Sequence, residues 1–141
     1  MTLTTPKKTR RKQGSLLRPS KALPPQIAEW FVRRGWKPRA HQLALLEAAK
    51  QRCSTLLIAP TGAGKTLAGF LPSLVTLGTE KRKKTGAGLY TLYISPLKAL
   101  AADVERNLLA PIEEMGLKIR TETRTGDTSV ARRQRQRIKP P

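Results

Sequence analysis

The spacing of apolar residues along this chain predicts helices that alternate with short strands. Where apolar side chains recur three and four positions apart, a helix can bury one face. Ile27, Trp30 and Phe31 have this spacing, and Gly35 is placed to end their helix. Further helices are predicted over residues 40–51 with Leu43 and Leu46 on one face, 66–77 with Leu67, Phe70, Leu71 and Leu74 facing a core, about 97–109 with Leu100, Val104 and Leu108, and the basic tail SVARRQRQRIK.

Three short segments between these helices predict strands. Residues 54–58 form an apolar run that we expect to be buried, residues 89–94 are rich in tyrosine and β-branched side chains, and residues 117–123 form the third segment. Strands that alternate with helices are typical of an α/β fold with a parallel sheet and right-handed crossovers. We also expect Pro72 to kink its helix and Pro111 to interrupt or restart the helix that precedes it.

The net charge of the chain is strongly positive, and its first 25 residues contain basic residues but no acidic ones. Residues 1–25 contain no acid and no sustained apolar periodicity, which predicts a disordered basic arm; a transit peptide and a functionless solvated tail are the alternatives. The whole chain has 28 Lys+Arg against 9 Asp+Glu, a formal charge of +19. Such a surface attracts polyanions, and without a basic amphipathic helix that carries an apolar face, nucleic acid is favoured over a membrane. No apolar run approaches the roughly 18 residues of a membrane helix.

The stretch LLIAPTGAGKT, residues 56–66, is the strongest chemical signal. A strand that ends in a loop of small residues, followed by lysine and threonine, predicts a loop that holds nucleotide phosphates. Gly62 and Gly64 fit the places where φ is positive or where a side chain would strike the phosphate. Lys65 would reach the β- and γ-phosphates, and Thr66 would ligate Mg²⁺. The common pattern begins with glycine, whereas Ala59 stands there, so a chance glycine-bearing turn is the alternative.

This stretch resembles motif I of superfamily-two DEAD/DEAH-box helicases, and three further stretches match that family in order. GWKPRAHQ at residues 35–42 resembles the adenine-recognising element, SPLKAL at 95–100 resembles motif Ia, and RTGDT at 124–128 resembles a glycine-bearing nucleic-acid contact loop. The residues of these motifs are most similar to those of ligase-associated, large-helicase-related DEXH-box proteins of bacteria. The resemblance implies ATP binding by Gln42, Pro60, Thr61, Gly62, Ala63, Gly64, Lys65 and Thr66, and nucleic-acid contact by Pro96, Leu97, Lys98, Arg124, Thr125 and Gly126.

Several of these residues also have plainer interpretations. Gln42 could be an ordinary polar residue on a helix, and Lys98 an exposed helix start. Trp36 or Phe31 could lie near the adenine, but aromatic residues at helical spacing more often pack in a core or at its rim. The KRKK run at 81–84, in a predicted polar loop over 78–88, is expected to be solvated, with nucleic-acid contact as the second interpretation.

The carboxylates that ATP hydrolysis needs are not recognisable in the sequence. In the family that this chain resembles, an Asp for Mg²⁺ and a carboxylate that orients water follow an apolar strand, and none of the nine acids here does so. We therefore expect residues 26–141 to be the N-terminal part of a first RecA-like ATP-binding domain, without catalytic residues and inactive alone. ATP and Mg²⁺ are the expected cofactors.

The resemblance also sets the expected partners and the rival functions. DNA is the expected partner, RNA is not excluded, and DNA-repair proteins such as a ligase are implied by resemblance alone. No membrane partner is expected. The single cysteine, Cys53, fits a reducing cytoplasm, so a cytoplasmic location is expected. The resemblance to bacterial DNA helicases implies association with the nucleoid. The rivals are a small-molecule phosphate-loop kinase or other NTPase, and a non-enzymatic basic nucleic-acid-binding protein.

Overall fold

The computed structural model describes residues 21–79 and 88–141, and within them the helices agree with the predicted ones. They are α1 (Pro25–Arg33), α2 (Ala40–Lys50), α3 (Lys65–Thr79), α4 (Lys98–Glu114) and α5 (Val130–Ile138). Most of the predicted basic arm and most of the predicted 78–88 loop, with its KRKK run, lie outside the described residues. No helix in the described part of the chain is long and apolar enough to cross a membrane.

The core forms where the apolar faces of α1 to α4 meet. Ile27 of α1, Leu46 of α2 and Ile112 of α4 pack with Leu71 and Leu74 of α3 in one buried cluster. In α1 the buried positions recur at three and four residues, as the helical period requires. Burial of such side chains stabilises a fold by about 1.5–3 kcal/mol each before conformational entropy is counted. The helices therefore hold together through the faces that the sequence pattern predicts.

A polar contact joins the ends of α1 and α4. The Glu114 carboxylate accepts hydrogen bonds from Trp30 Nε1 at 2.7 Å and Arg34 Nε at 2.8 Å, and Arg33 donates to the Glu114 carbonyl at 3.0 Å. The hydrogen bond from Arg34, followed by that from Trp30, lowers the pKa of Glu114. The contact satisfies the indole N–H of a tryptophan whose ring lies in the core.

Pro111 does not interrupt α4, which corrects one prediction. The helix continues to Glu114, and the Met115 N–H donates to the Pro111 carbonyl at 3.0 Å. Proline removes one backbone donor from a helix, but its ring is buried here beside Ile112, which belongs to the core. Burial of the apolar ring compensates for the missing hydrogen bond, so the helix passes through the proline.

The predicted strands are not formed in the part of the chain that the structure describes. Residues 54–58 were expected to form a buried strand, yet Leu56 is 83% and Ile58 85% exposed. Residues 89–94 and 117–123 are likewise without strand pairing. A parallel strand obtains its hydrogen bonds and much of its burial from neighbouring strands. None of these segments pairs with another, so an apolar run alone does not make a strand here, and the predicted parallel sheet is not confirmed.

Two of these segments nevertheless have one side against the helices. Thr91 Oγ1 donates to Ser73 Oγ of α3 at 2.7 Å, and the Tyr93 ring lies 5.5 Å from that of Phe70. Ile94, on the other side, is exposed. Farther along, Leu117 and Ile119 pack against the core. The two-residue alternation of extended chain is thus present even though the ladder hydrogen bonds are not.

Candidate nucleotide site and nucleic-acid loops

The phosphate loop, residues 59–66, has the backbone that its glycines predict. Gly62 and Gly64 have φ of 76° and 73°, in the left-handed region that L side chains avoid. The Ala63 N–H donates to the Pro60 carbonyl at 3.2 Å, which closes a turn before α3 begins at Lys65. The loop therefore delivers the N-terminus of a 15-residue helix, where unpaired N–H groups and the helix dipole favour an anion.

Lys65, the predicted phosphate ligand, folds back on its own loop. Its Nζ donates to the carbonyl oxygens of Ala59 at 2.7 Å and Pro60 at 2.8 Å. An ammonium group has three N–H donors. A phosphate oxygen can therefore accept the third hydrogen bond from Lys65, or take the place of one of the two carbonyl oxygens. Thr66, the predicted Mg²⁺ ligand, is exposed at the first turn of α3.

The start of α2 lies directly against the phosphate loop. Gln42 is only 3% exposed, and its Nε2 donates to the Gly64 carbonyl at 3.4 Å. The Gln42 Oε1 accepts a hydrogen bond from the Arg39 N–H at 2.9 Å. Both ends of the amide are therefore engaged, with one on the N-terminus of α2 and the other on the phosphate loop.

A cavity of about 660 Å³ opens beside the loop and the start of α2. This volume lies within the range of about 300–1,000 Å³ that small-molecule sites occupy. Four predicted ATP-binding residues line the cavity: Gln42, Gly62, Gly64 and Thr66. Pro60, Thr61, Ala63 and Lys65 belong to the same loop but do not line it. Lys37 and Arg39 give the wall positive charge, whereas the charge of Arg34 is paired with Glu114, and no carboxylate among the described residues lines the cavity.

The two candidate aromatic neighbours of the base differ in exposure. Phe31 is 2% exposed and belongs to the core. Trp36 is 48% exposed, packs edge-on against Trp30 with ring centroids 5.6 Å apart, and has the Arg34 guanidinium 5.4 Å from its ring centre. The core interpretation holds for Phe31, whereas Trp36 presents an exposed aromatic surface at the cavity wall.

The predicted nucleic-acid loops lie next to each other. Lys98, the first residue of α4, forms an ion pair with Asp127 of the 124–128 loop. Pro96, Leu97 and Arg124 are exposed around this contact. The second loop is ordered by Thr128, whose Oγ1 accepts from the Thr125 N–H at 2.9 Å.

Helix α5 supports the same loop from behind. Arg133 donates to the Thr125 carbonyl at 3.3 Å and to the Gly126 carbonyl. The Glu122 carboxylate accepts from Arg135 Nη1 at 2.8 Å and from Gln136 Nε2 at 3.0 Å. The hydrogen bond from Arg135, followed by that from Gln136, lowers the pKa of Glu122 to about 2.

Comparison with known proteins identifies the family. The family model described as DEAD/DEAH box helicase matches residues 39–140. The chain belongs to the DEAD/DEAH box helicase family. The predicted resemblance is therefore confirmed, and membership implies a RecA-like α/β fold, although no sheet is formed by the described residues.

Several relatives of this helicase family are similar over most of the chain. It is 38% identical to the ATP-dependent helicase Lhr-Core of Saccharolobus solfataricus, over 84% of the chain and 14% of that relative. It is 41% identical to a Lhr helicase/probable uracil glycosylase of Mycolicibacterium smegmatis, over 80% and 8%, and 37% identical to the Lhr helicase/uracil glycosylase of Escherichia coli, over 87% and 9%. The chain thus spans 8 to 14% of the length of these relatives. No solved structure matches it significantly.

Sequence reasoning missed three residues that the structure brings to these sites. Arg39 and His41 contact the phosphate loop, and Asp127 pairs with Lys98. Arg39 and His41 lie within the stretch that resembles the family's adenine-recognising element, and Asp127 lies within RTGDT. Their partners are 22 to 29 residues away in sequence, so spacing alone gives no signal for the contacts.

Proposed function

We propose that this chain is the ATP-binding and nucleic-acid-binding part of an ATP-dependent DNA helicase. The observation that supports it most is the docking of Gln42, a buried amide, on a phosphate loop whose two glycines have positive φ. The predicted base-recognition element and the predicted phosphate loop would then both contribute to one cavity, through Gln42, Gly62, Gly64 and Thr66.

ATP would be held by the loop residues and by Gln42. The N–H groups of the loop and the first turn of α3 would bind phosphate oxygens, with Lys65 supplying positive charge. Gln42 would meet the adenine edge with the second N–H and the second oxygen lone pair that its two hydrogen bonds leave over, and Thr66 would hold Mg²⁺. Bound Mg²⁺ would neutralise phosphate charge, and the Thr66 hydroxyl would be its ligand from the protein. Pro60, Thr61 and Ala63 shape the loop around these groups.

The nucleic-acid strand would cross the two loops that Lys98 and Asp127 join. Pro96, Leu97 and Lys98 stand at the N-terminus of α4, whose free N–H groups can bind a backbone phosphate. Arg124, Thr125 and Gly126 would contact the strand from the neighbouring loop. A formal charge of +19 supports a polyanionic partner. From the family resemblance we propose that the nucleic acid is DNA, with RNA as the alternative. The same resemblance supports a DNA-repair partner such as a ligase and a cytoplasmic location beside the nucleoid.

Hydrolysis needs groups that the cavity wall does not supply. Water must be oriented and charge stabilised opposite the γ-phosphate, and tight binding without such differential stabilisation does not lower the barrier. No described carboxylate lines the cavity. We therefore assign nucleotide binding to these residues and ATP-driven movement to a complete helicase.

Replacement of Lys65 tests the nucleotide site. Lys65→Ala should weaken binding of a fluorescent ATP analogue by about 2 kcal/mol, roughly 30-fold, because the side chain that neutralises phosphate charge is removed. Lys50→Ala is the matched control, since Lys50 is an exposed lysine of α2 that pairs with Glu47. Equal affinities of the Lys65 and Lys50 variants would refute the assignment of this loop to phosphate binding.

A further inference from the structure

Three donors from the start of α2 hold three consecutive carbonyls of the phosphate loop. Arg39 Nη1 donates to the Gly62 carbonyl at 3.2 Å, His41 Nε2 lies 2.9 Å from the Ala63 carbonyl, and Gln42 Nε2 is 3.4 Å from that of Gly64. A carbonyl oxygen only accepts, so His41 Nε2 must carry hydrogen and donate. The neutral tautomer protonated at Nε2 and the doubly protonated ring both satisfy this condition.

The direction of the carbonyls fixes the direction of the amides. In a trans peptide the C=O of one residue and the N–H of the next lie in one plane and point in opposite directions, and no cis peptide bond occurs in the described residues. The Ala63 carbonyl is held by α2, and the Gly64 carbonyl is held both by Gln42 of α2 and by the Ala68 N–H of α3 at 3.0 Å. The N–H groups of Gly64 and Lys65 must therefore point away from α2. Neither of these two N–H groups has a backbone acceptor among the described residues. They are the donors that an anion would find.

We propose that His41 is a positioning residue for nucleotide binding, which holds the central peptide of the phosphate loop so that the Gly64 N–H faces the phosphates. The inference rests on the proposed function, because it assigns the anion to a nucleotide. His41 fixes the peptide between the two left-handed glycines, where the backbone has most freedom. Its neighbour Gln42 is buried and tied to the same loop, so the imidazole is held at a set distance from Ala63.

Three variants separate positioning from general support of the fold. His41→Ala removes the donor. His41→Gln keeps an N–H donor at a similar distance from the backbone, whereas the side chain of His41→Asn is too short for its N–H to reach the Ala63 carbonyl. We expect His41→Ala and His41→Asn to bind ADP about fivefold more weakly, the loss expected for one hydrogen bond. His41→Gln should bind ADP within about twofold of the unaltered chain. Gln51→Ala is the matched control, because Gln51 lies after α2 and its side chain donates, among the described residues, to Glu47 and not to the phosphate loop.

Two readouts distinguish this inference from the proposed function. Hydrogen exchange of a peptide covering residues 59–66, measured without nucleotide, should be faster in His41→Ala and His41→Asn than in His41→Gln and the control. Far-ultraviolet circular dichroism checks that the helices remain. If the unaltered chain fails to bind ADP, the proposed function is wrong and the exchange measurement still tests the positioning. If all four variants exchange and bind alike, or if His41→Gln is as impaired as His41→Asn, the positioning role is wrong.

Discussion

Gly64 is constrained both by its backbone angle and by the side chain above it. Its φ is 73°, and a Cβ built there would lie 2.9 Å from Gln42 Nε2. Gly62 has φ of 76° but nothing within 4 Å of such a Cβ. A side chain at either position would therefore have the same unfavourable backbone conformation, but only at Gly64 would its Cβ also collide with Gln42. Because Gln42 is buried and bonded at both ends, it cannot move without loss of a hydrogen bond.

This difference predicts that Gly64→Ala destabilises the chain more than Gly62→Ala. Each should lose about 1–2 kcal/mol of unfolding free energy, because a non-glycine residue is forced into the left-handed region. Gly64→Ala should lose roughly 1 kcal/mol more, because Gln42 must give up its contact with the loop. Urea unfolding of both variants measures the two values. An equal loss would mean that Gln42 adjusts freely and is not fixed against the loop.

Glu122 is one of the residues that hold helix α5 to the preceding chain. The hydrogen bond from Arg135 of α5 contributes most to the low pKa of Glu122, about 2. A carboxyl whose pKa is lower in the folded state adds stability that is complete above its ordinary pKa near 4.5. That stability is lost as the pH falls from there through about 2, because both states then bind the proton.

Glu122→Gln should therefore lower the unfolding free energy at pH 7 and lose this effect on acidification. The difference from the unaltered chain is expected to shrink between about pH 4.5 and 2 and to vanish below. Urea unfolding across this range gives the curve. Glu113→Gln is the control, since Glu113 is exposed on α4 and its side chain has no hydrogen bond among the described residues. A difference that stays constant with pH would exclude a charged contact at Glu122.

Helices were more predictable from this sequence than strands, for a physical reason. A helix satisfies its backbone within itself, so apolar spacing around Ile27 and Leu71 was sufficient to find α1 and α3. A strand takes its hydrogen bonds from elsewhere in the chain, so the apolar run at 54–58 could not reveal whether a neighbour pairs with it. The same limit applies to the site: the glycines of the phosphate loop are local signals, whereas the contact of His41 with Ala63 spans 22 residues.

At the scale of the whole molecule, positive charge greatly exceeds negative charge and the acids are partly used within the protein. Of the described acids, five form ion pairs with basic residues: Glu47, Asp103, Glu114, Glu122 and Asp127. Lys98 is the proposed strand contact, and its partner Asp127 is exposed. A phosphate of the strand would compete with this carboxylate for Lys98. Exposed ion pairs are weak, so the exchange is feasible in solution.

Single-stranded DNA should therefore bind with a strong dependence on salt, and Lys98 should account for part of it. If about five phosphates are engaged, log K should fall against log salt with a slope near −3.5. Lys98→Ala should make the slope shallower by about 0.7, the loss of one phosphate contact, whereas Lys50→Ala should leave it unchanged. Asp127→Asn should raise affinity about twofold without changing the slope by as much, because it frees Lys98 rather than removing it. Fluorescence anisotropy of a labelled oligonucleotide at several salt concentrations measures all four proteins. A slope near zero would favour the small-molecule kinase as the function. If Lys98→Ala leaves the slope unaltered, the proposal that the strand binds at the N-terminus of α4 is wrong.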